Sequence, residues 1–388
     1  MSLPAPQTLI ESLLRIPSIS SFDPSLDTSN RPVCEALATF LNDAGARATL
    51  TGIPGRPDKV NLLARFGEGP PGLALCGHTD TVPYDESRWA TDPFDPVCRD
   101  EKLYGLGSSD MKGFLALCAS VLGEMSPGGL KRSVIVLGSA DEETGMDGAR
   151  ALVDAGQPLA PFAVIGEPTS LKPVRQHKGI FMERIALKGR SGHSSNPALG
   201  NNAIDAMHDV LTALKRWRRE LAERYACDDF DVPFPTVNFG RIRGGDNPNR
   251  ICASAELDID VRLTPGMTVA DTRAALRDEV LTVCAHSGLD ASFQILFNGV
   301  DPLSTPADAD VVTFCEHVSG HASGCVNFGT EAPFFTTLGA QSVVCGPGDI
   351  DLAHQPNEYL DLRQVEPARR MIAALIERYC RDVQRDAP

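Results

Sequence analysis

The chain has 388 residues, of which 42% are hydrophobic, and a formal net charge of -15. That length suits two domains with a sizeable core, and the acidic balance argues against nucleic acid or an anionic membrane as partner while leaving a small-molecule substrate open. The 11 cysteines are odd in number and include no C-x-x-C pair, which disfavours a disulfide framework and favours a reducing compartment.

Met1–Ile16 lacks the basic-then-apolar pattern of a secretory signal, and no apolar run is long enough to span a bilayer, so a cytoplasmic protein is expected. Thr8–Leu14 and Pro32–Ala44 read as helices. Leu62–Phe66 and Leu73–Cys76 read as strands about a Gly/Pro turn. A helix from Met111 to about Met125 follows, then a strand at Ser133–Ser139, a helix at Ala149–Ala155 and a strand at Phe162–Gly166. This alternation is α/β, and the short apolar runs predict buried strands of a parallel or mixed sheet.

The pattern changes near Lys178. Ile180–Leu187, Ala203–Arg224, Thr236–Ile242, Ile251–Arg262, Val269–His286 and Ala291–Phe297 read in the order β-α-β-β-α-β, a ferredoxin-like α+β unit. The expected division is a first domain over 1–177 and 298–388, with 178–297 inserted in it. Beyond the insertion, a helix at about Asp308–Val318, a strand at Ser342–Cys345 and a helix over Glu366–Asp382 complete the chain.

Metal-capable residues stand in five segments, four of which follow apolar runs. Ligands bind outside the carboxyl ends of strands in such sheets, so these loops can converge. In Gly77-His78-Thr79-Asp80, His78 can ligate a metal while Asp80 accepts the proton of its other ring nitrogen; an ordinary polar loop is the plainer reading. Gly105–Gly113 begins like a dinucleotide fingerprint but has Asp110 where the third glycine belongs. Asp110 can bridge two cations, or simply cap the helix after it. Asp141-Glu142-Glu143 packs three acids after a buried strand, a mutual repulsion that cations would relieve; alone, it also reads as a solvated acidic loop. Neighbouring residues point different ways, so Glu143 is assigned as ligand and Glu142 as general base. Glu167 and His354 complete the candidate set. Two imidazoles and three carboxylates suit a pair of divalent metals, and a metal pair suits hydrolysis. The small-residue loop around His193 can approach a substrate or be a polar turn. His317 and His321, four apart, lack an acid cluster and read as a solvated helix face. No P-loop lysine motif and no G-x-S-x-G is present.

Gly77–Pro83, Gly105–Gly113, Asp141–Glu143, Gly166–Pro168 and Gly192-His193 together resemble the M20 metallopeptidase family, over essentially the whole chain. The resemblance implies a zinc-peptidase-like catalytic domain with a mixed central sheet and an inserted lid and dimerisation domain. It implies two zinc ions: His78, Asp110 and Glu167 hold one, and Asp110, Glu143 and His354 the other; a site this rich in carboxylate also accepts cobalt or manganese. The substrate implied is a small N-acyl amino acid. A homodimer through the inserted domain is implied too, with His193 entering the partner's site to hold an oxyanion. Within the family, Asn249–Cys252, Gly329–Phe334 and His354–Leu360 resemble a deacetylase branch. Arg250 is then the first candidate for a substrate carboxylate, because guanidinium grips carboxylate bidentately. Asn249 would assist it, and Glu331 would meet a cationic substrate end.

Overall fold

A computed structural model describes residues 3–381. Among them the chain forms two compact units. The first comprises residues up to Arg175, Thr305–Gly324 and the chain from Thr330 on. The second comprises Gln176–Ser304 with Cys325–Gly329.

In the first unit a mixed sheet runs in the order Arg47–Ile53, Arg56–Phe66, Ser133–Ser139, Pro71–His78, Phe162–Pro168, Gln341–Gly346. The last four strands are mutually parallel, and the first two run antiparallel. Every residue of Ser133–Ser139 is buried, which explains its unbroken apolar run. The helix Lys112–Gly123 is buried from Lys112 to Leu122 and shares a core with the helices Pro6–Leu14 and Val365–Ile376. It crosses the sheet so closely that a Cβ on Gly166 would stand 2.1 Å from Phe114 Cδ1. Glycine is required there by space, not by backbone angle.

The second unit carries an antiparallel sheet ordered Thr236–Gly244, Ser254–Leu263, Gly179–Lys188, Asp290–Val300. The helices Ala203–Arg224 and Val269–Ser287 supply Val210, Leu214, Trp217, Leu276 and Val280 to a core with Phe181, Leu257 and Ile259. Alternate residues of Ser254–Leu263 are buried, the period of a half-covered strand. This is the ferredoxin-like arrangement expected from the element order.

Several elements differ from expectation. The edge strand Arg47–Ile53 was not predicted; its face alternates threonine, arginine and small apolar residues and stays largely exposed. Ile251 and Cys252 are buried without joining a ladder, so that strand starts at Ser254. The last helix ends at Ile376 and continues as a wider-turn segment, Glu377–Arg381. The expected helix end at Asp382 lies outside the described residues. No helix among the described residues is long and apolar enough to cross a membrane.

Candidate metal centre

Three parallel strands of the first unit end side by side. His78 pairs in register with Ser139, and Cys76 with Ile165, which puts Glu167 level with His78. Asp141–Glu143 follow directly after the middle strand of these three in sequence order. Gln341–Gly346 ends next to Pro168 and leads into the loop that carries His354. The topology thus brings the four strand-end segments to one edge.

Asp110 lies between them. Its Oδ1 is 2.9 Å from His78 Nε2, and its Oδ2 is 3.5 Å from His354 Nε2. His354 Nε2 is also 3.0 Å from Glu143 Oε2, and His78 Nε2 is 3.9 Å from Glu167 Oε2. The ligand atoms of His78, Asp110 and Glu143 lie within 4.8 Å of one another. All five sequence-predicted ligand residues therefore gather in one place. Asp110 does not cap the following helix: the N-cap position is Met111, with no side-chain cap bond, because the carboxylate is turned toward the two imidazoles.

Charge in this cluster is unbalanced. Burial, with the nearby Glu167 charge, pushes Glu142 well above the usual carboxyl range. Burial and then Asp110 do the same to Glu167. Burial pulls the His78 imidazole down, but the hydrogen bond and charge of Asp110 outweigh it and hold it well above its ordinary value. The hydrogen bond that His354 donates to the Glu143 carboxylate is the main cause that lifts His354 to about 9. Imidazolium is what offsets carboxylate here. Divalent cations would do so better, and the nitrogen and oxygen donors are those that zinc, cobalt or manganese accept. The residues fit a metal pair.

The loop after Ser139 separates its three acids. Asp141 adopts φ +57°, and its backbone carbonyl accepts the N–H groups of Thr144, Gly145 and Met146. Its fully buried carboxylate is 3.0 Å from Lys59 Nζ and 2.9 Å from Arg56 Nη2, and it accepts the Ser20 hydroxyl at 2.8 Å. Lys59, 2% exposed, also donates to Asp27 and to the Thr28 carbonyl, both at 2.7 Å. Sequence reading assigned repulsion to all three acids; protein cations neutralise the first, leaving Glu142 and Glu143 to the centre. No local signal marks Lys59, whose partners are distant in sequence.

The structure also places Asp80 and Glu331. His78 Nδ1 lies 3.0 Å from the backbone oxygen of Asp80, whereas the Asp80 carboxylate, expected to take that proton, is 3.7 Å away. That carboxylate accepts the Glu143 N–H at 3.1 Å instead, and burial lifts it to about 6. Glu331, expected at the cationic end of a substrate, is 1% exposed and accepts the Ser139 hydroxyl at 2.7 Å. Burial pushes it up to about 7, and its charge acts on Glu142 and Glu167. Glu358, to which sequence reading gave no role, accepts three backbone N–H groups of the Asp110 loop. Those bonds offset part of the burial that lifts it to about 8.

In the second unit His193 faces Arg250 across an isolated antiparallel bridge, and Ser194 N–H donates to the Asn249 carbonyl at 3.1 Å. The structure so brings these three candidates together. Arg250 is exposed and pairs with Asp246 at 2.6 Å. Ser195 N–H donates to His193 Nδ1 at 3.2 Å, so that nitrogen is an acceptor and a neutral ring carries its proton on Nε2.

Residues 74–378 match the profile of Peptidase family M20/M25/M40. The chain is 42% identical over 380 residues to an acetylornithine deacetylase of Pectobacterium carotovorum subsp. carotovorum, covering 98% of this chain and 99% of that one. It is 43% identical over 385 residues to an acetylornithine deacetylase of Yersinia pestis, with the same coverage of 98% and 99%. Among solved structures it resembles an M20 family metallo-carboxypeptidase from Sulfolobus solfataricus, with TM-score 0.75, 17% identity and coverage of 97% and 99%. It also resembles a dinuclear metal binding peptidase of Bacillus subtilis, with TM-score 0.65, 15% identity and coverage of 95% and 96%.

Proposed function

The chain belongs to the M20/M25/M40 peptidase family, and from that premise we propose that it removes the acetyl group of N2-acetyl-L-ornithine, giving L-ornithine and acetate. Such an activity would serve arginine biosynthesis. The observation that carries the hydrolytic reading is Asp110, whose two oxygens face His78 and His354 respectively, the disposition of a bridging ligand. His78, Asp110 and Glu167 would hold one ion, and Asp110, Glu143 and His354 the other. We take zinc as the metal, with cobalt or manganese as substitutes. When bound, a divalent pair supplies Lewis acidity, which makes water acidic enough to attack near neutral pH and polarises an amide carbonyl.

The protein's own residues handle the protons. Glu142, beside the ligand candidate Glu143 and not itself assigned to a metal, would take a proton from attacking water and return it to the leaving α-amine. Asp80, through its backbone oxygen, fixes the His78 ring with Nε2 toward Asp110. His193, protonated on Nε2, can donate to the oxyanion, and Arg250 with Asn249 beside it can hold the substrate α-carboxylate.

His193 would act in a homodimer joined through the second unit, reaching the partner's site. An apolar cleft lined by Ile204, Met207, Leu211 and Ile242 beside the edge strand Thr236–Gly244 supports that pairing. Ile204 and Ile242 are 47% and 56% exposed in the single chain. A cytoplasmic setting is supported by the 11 cysteines, all unpaired.

The test is a hydrolysis panel of N-acetylornithine, N-acetylcitrulline, N-succinyl-diaminopimelate and a dipeptide, with and without chelator. N-acetylornithine should be the best substrate by kcat/KM, chelator should abolish turnover, and Glu142→Gln should lose at least about 100-fold in kcat with bound metal unchanged. Preference for another substrate would overturn the assignment. Turnover that survives Glu142→Gln would remove Glu142 from its role.

A further inference from the structure

We propose that Glu358 is a positioning residue that locks the Asp110 loop to the His354 segment, setting the geometry of the bridging ligand. The inference rests on the reading of Asp110 and His354 as metal ligands. The antiparallel pairing of Lys102–Tyr104 with Tyr359–Asp361 is prolonged by Gly105 N–H, which donates to the Glu358 carbonyl at 3.0 Å. Past that point the chain curls through Gly107, at φ +84°, and exposes a run of backbone N–H groups. The Glu358 side chain fills the curl. One oxygen accepts from Gly107 at 3.1 Å; the other accepts from Ser109 at 2.8 Å and from Asp110 itself at 3.0 Å. The residue is 1% exposed, so no solvent can substitute.

A carboxylate with three backbone donors fixes the orientation of those peptides, and hence the direction in which Asp110 leaves the chain. Glu358 lies four positions after His354. One short segment therefore supplies a ligand to one ion and anchors the residue that faces both imidazoles. Supporting partners of metal ligands commonly change affinity by roughly 10–100-fold when altered.

Glutamine in this position keeps the shape but turns one acceptor into an amino group. Whichever way the amide faces, at least one of the three N–H groups then meets another donor. Wild type and Glu358→Gln should be stripped of metal and titrated with Co2+ alone, by calorimetry and by visible d–d absorption. The expected result is that wild type binds two ions, while the variant binds at least one of them about 10-fold or more weakly with an altered spectrum. Its kcat should recover toward wild type in excess Co2+, with KM unchanged. A variant with a lowered melting temperature but wild-type Co2+ affinity and spectrum overturns the proposal, since that is what a merely structural role predicts. Glu358→Asp, one methylene shorter, covers the case in which Gln does not fold: wild-type affinity in it overturns the proposal and weakened affinity supports it. Failure of wild type itself to bind Co2+ would refute the metal reading, and this inference with it.

Discussion

Replacing Lys59 with Met tests what holds the loop that carries Glu142 and Glu143. Met keeps most of the stem volume and removes the charge. The ammonium is 2.7 Å from Asp27 and 3.0 Å from Asp141, and Asp141 is fully buried. At an effective dielectric of about 20, an ion pair at that separation has a gross attraction of about 5 kcal/mol. Breaking a buried pair by removing one partner costs roughly 3–5 kcal/mol, because the remaining charge is stranded. Arg56 still reaches Asp141 at 2.9 Å, which places the expected loss at the lower end, about 3 kcal/mol. Arg56→Met should cost less, about 1 kcal/mol, since its head is 32% exposed and Lys59 still holds Asp141. Urea unfolding followed by circular dichroism measures both, read on the transition that belongs to the first unit. The double variant should lose more than the sum, because either cation covers for the other. A loss below about 1 kcal/mol for Lys59→Met at unchanged m would show that Asp141 is not held as a buried charge by Lys59.

His177 is fully buried, and burial lowers it from 6.5 to about 4. Its folded-state value lies below its unfolded one, so stability is complete above about pH 6.5 and declines as pH falls toward 4. The full effect is about 3 kcal/mol, and His177→Gln should flatten this part of the stability–pH curve; an unchanged slope would count against it. Gly166→Ala would set a methyl against the Phe114 ring, at a cost of about 1–3 kcal/mol, seen as a lower melting temperature; restoring it with Phe114→Leu would confirm the clash as the cause. A mixture of His193→Ala and Glu142→Gln dimers should regain activity once subunits exchange, since one heterodimer site has both residues intact. No recovery despite proven exchange would refute the trans arrangement.

Much of the centre was legible because four of the five ligand segments follow a strand whose composition is unmistakable. Ser133–Ser139 was read to its ends, since an unbroken apolar run closed by acids has few other meanings. Arg47–Ile53 escaped because a solvated edge strand need not be apolar, and its ladder to Arg56–Phe66 leaves little trace in side-chain type. Lys59 escaped for the opposite reason. A lysine beside a strand reads as surface, and only the fold reveals that Asp27 and Asp141 enclose it. Glu358 stood in a recognised motif, yet its task is done with backbone donors, which every sequence has alike.

The strand Gln341–Gly346 has a consequence for biosynthesis. It pairs with Phe162–Pro168, but the whole inserted unit is translated between them. At about 5–20 residues per second, a ribosome needs roughly 10–35 s to deliver the missing neighbour. Throughout that interval one side of an apolar strand has open hydrogen-bonding groups, the condition that invites intermolecular pairing. Nascent chains stalled within the insertion should therefore be the aggregation-prone species, and chaperone engagement should cease once the C-terminal portion emerges.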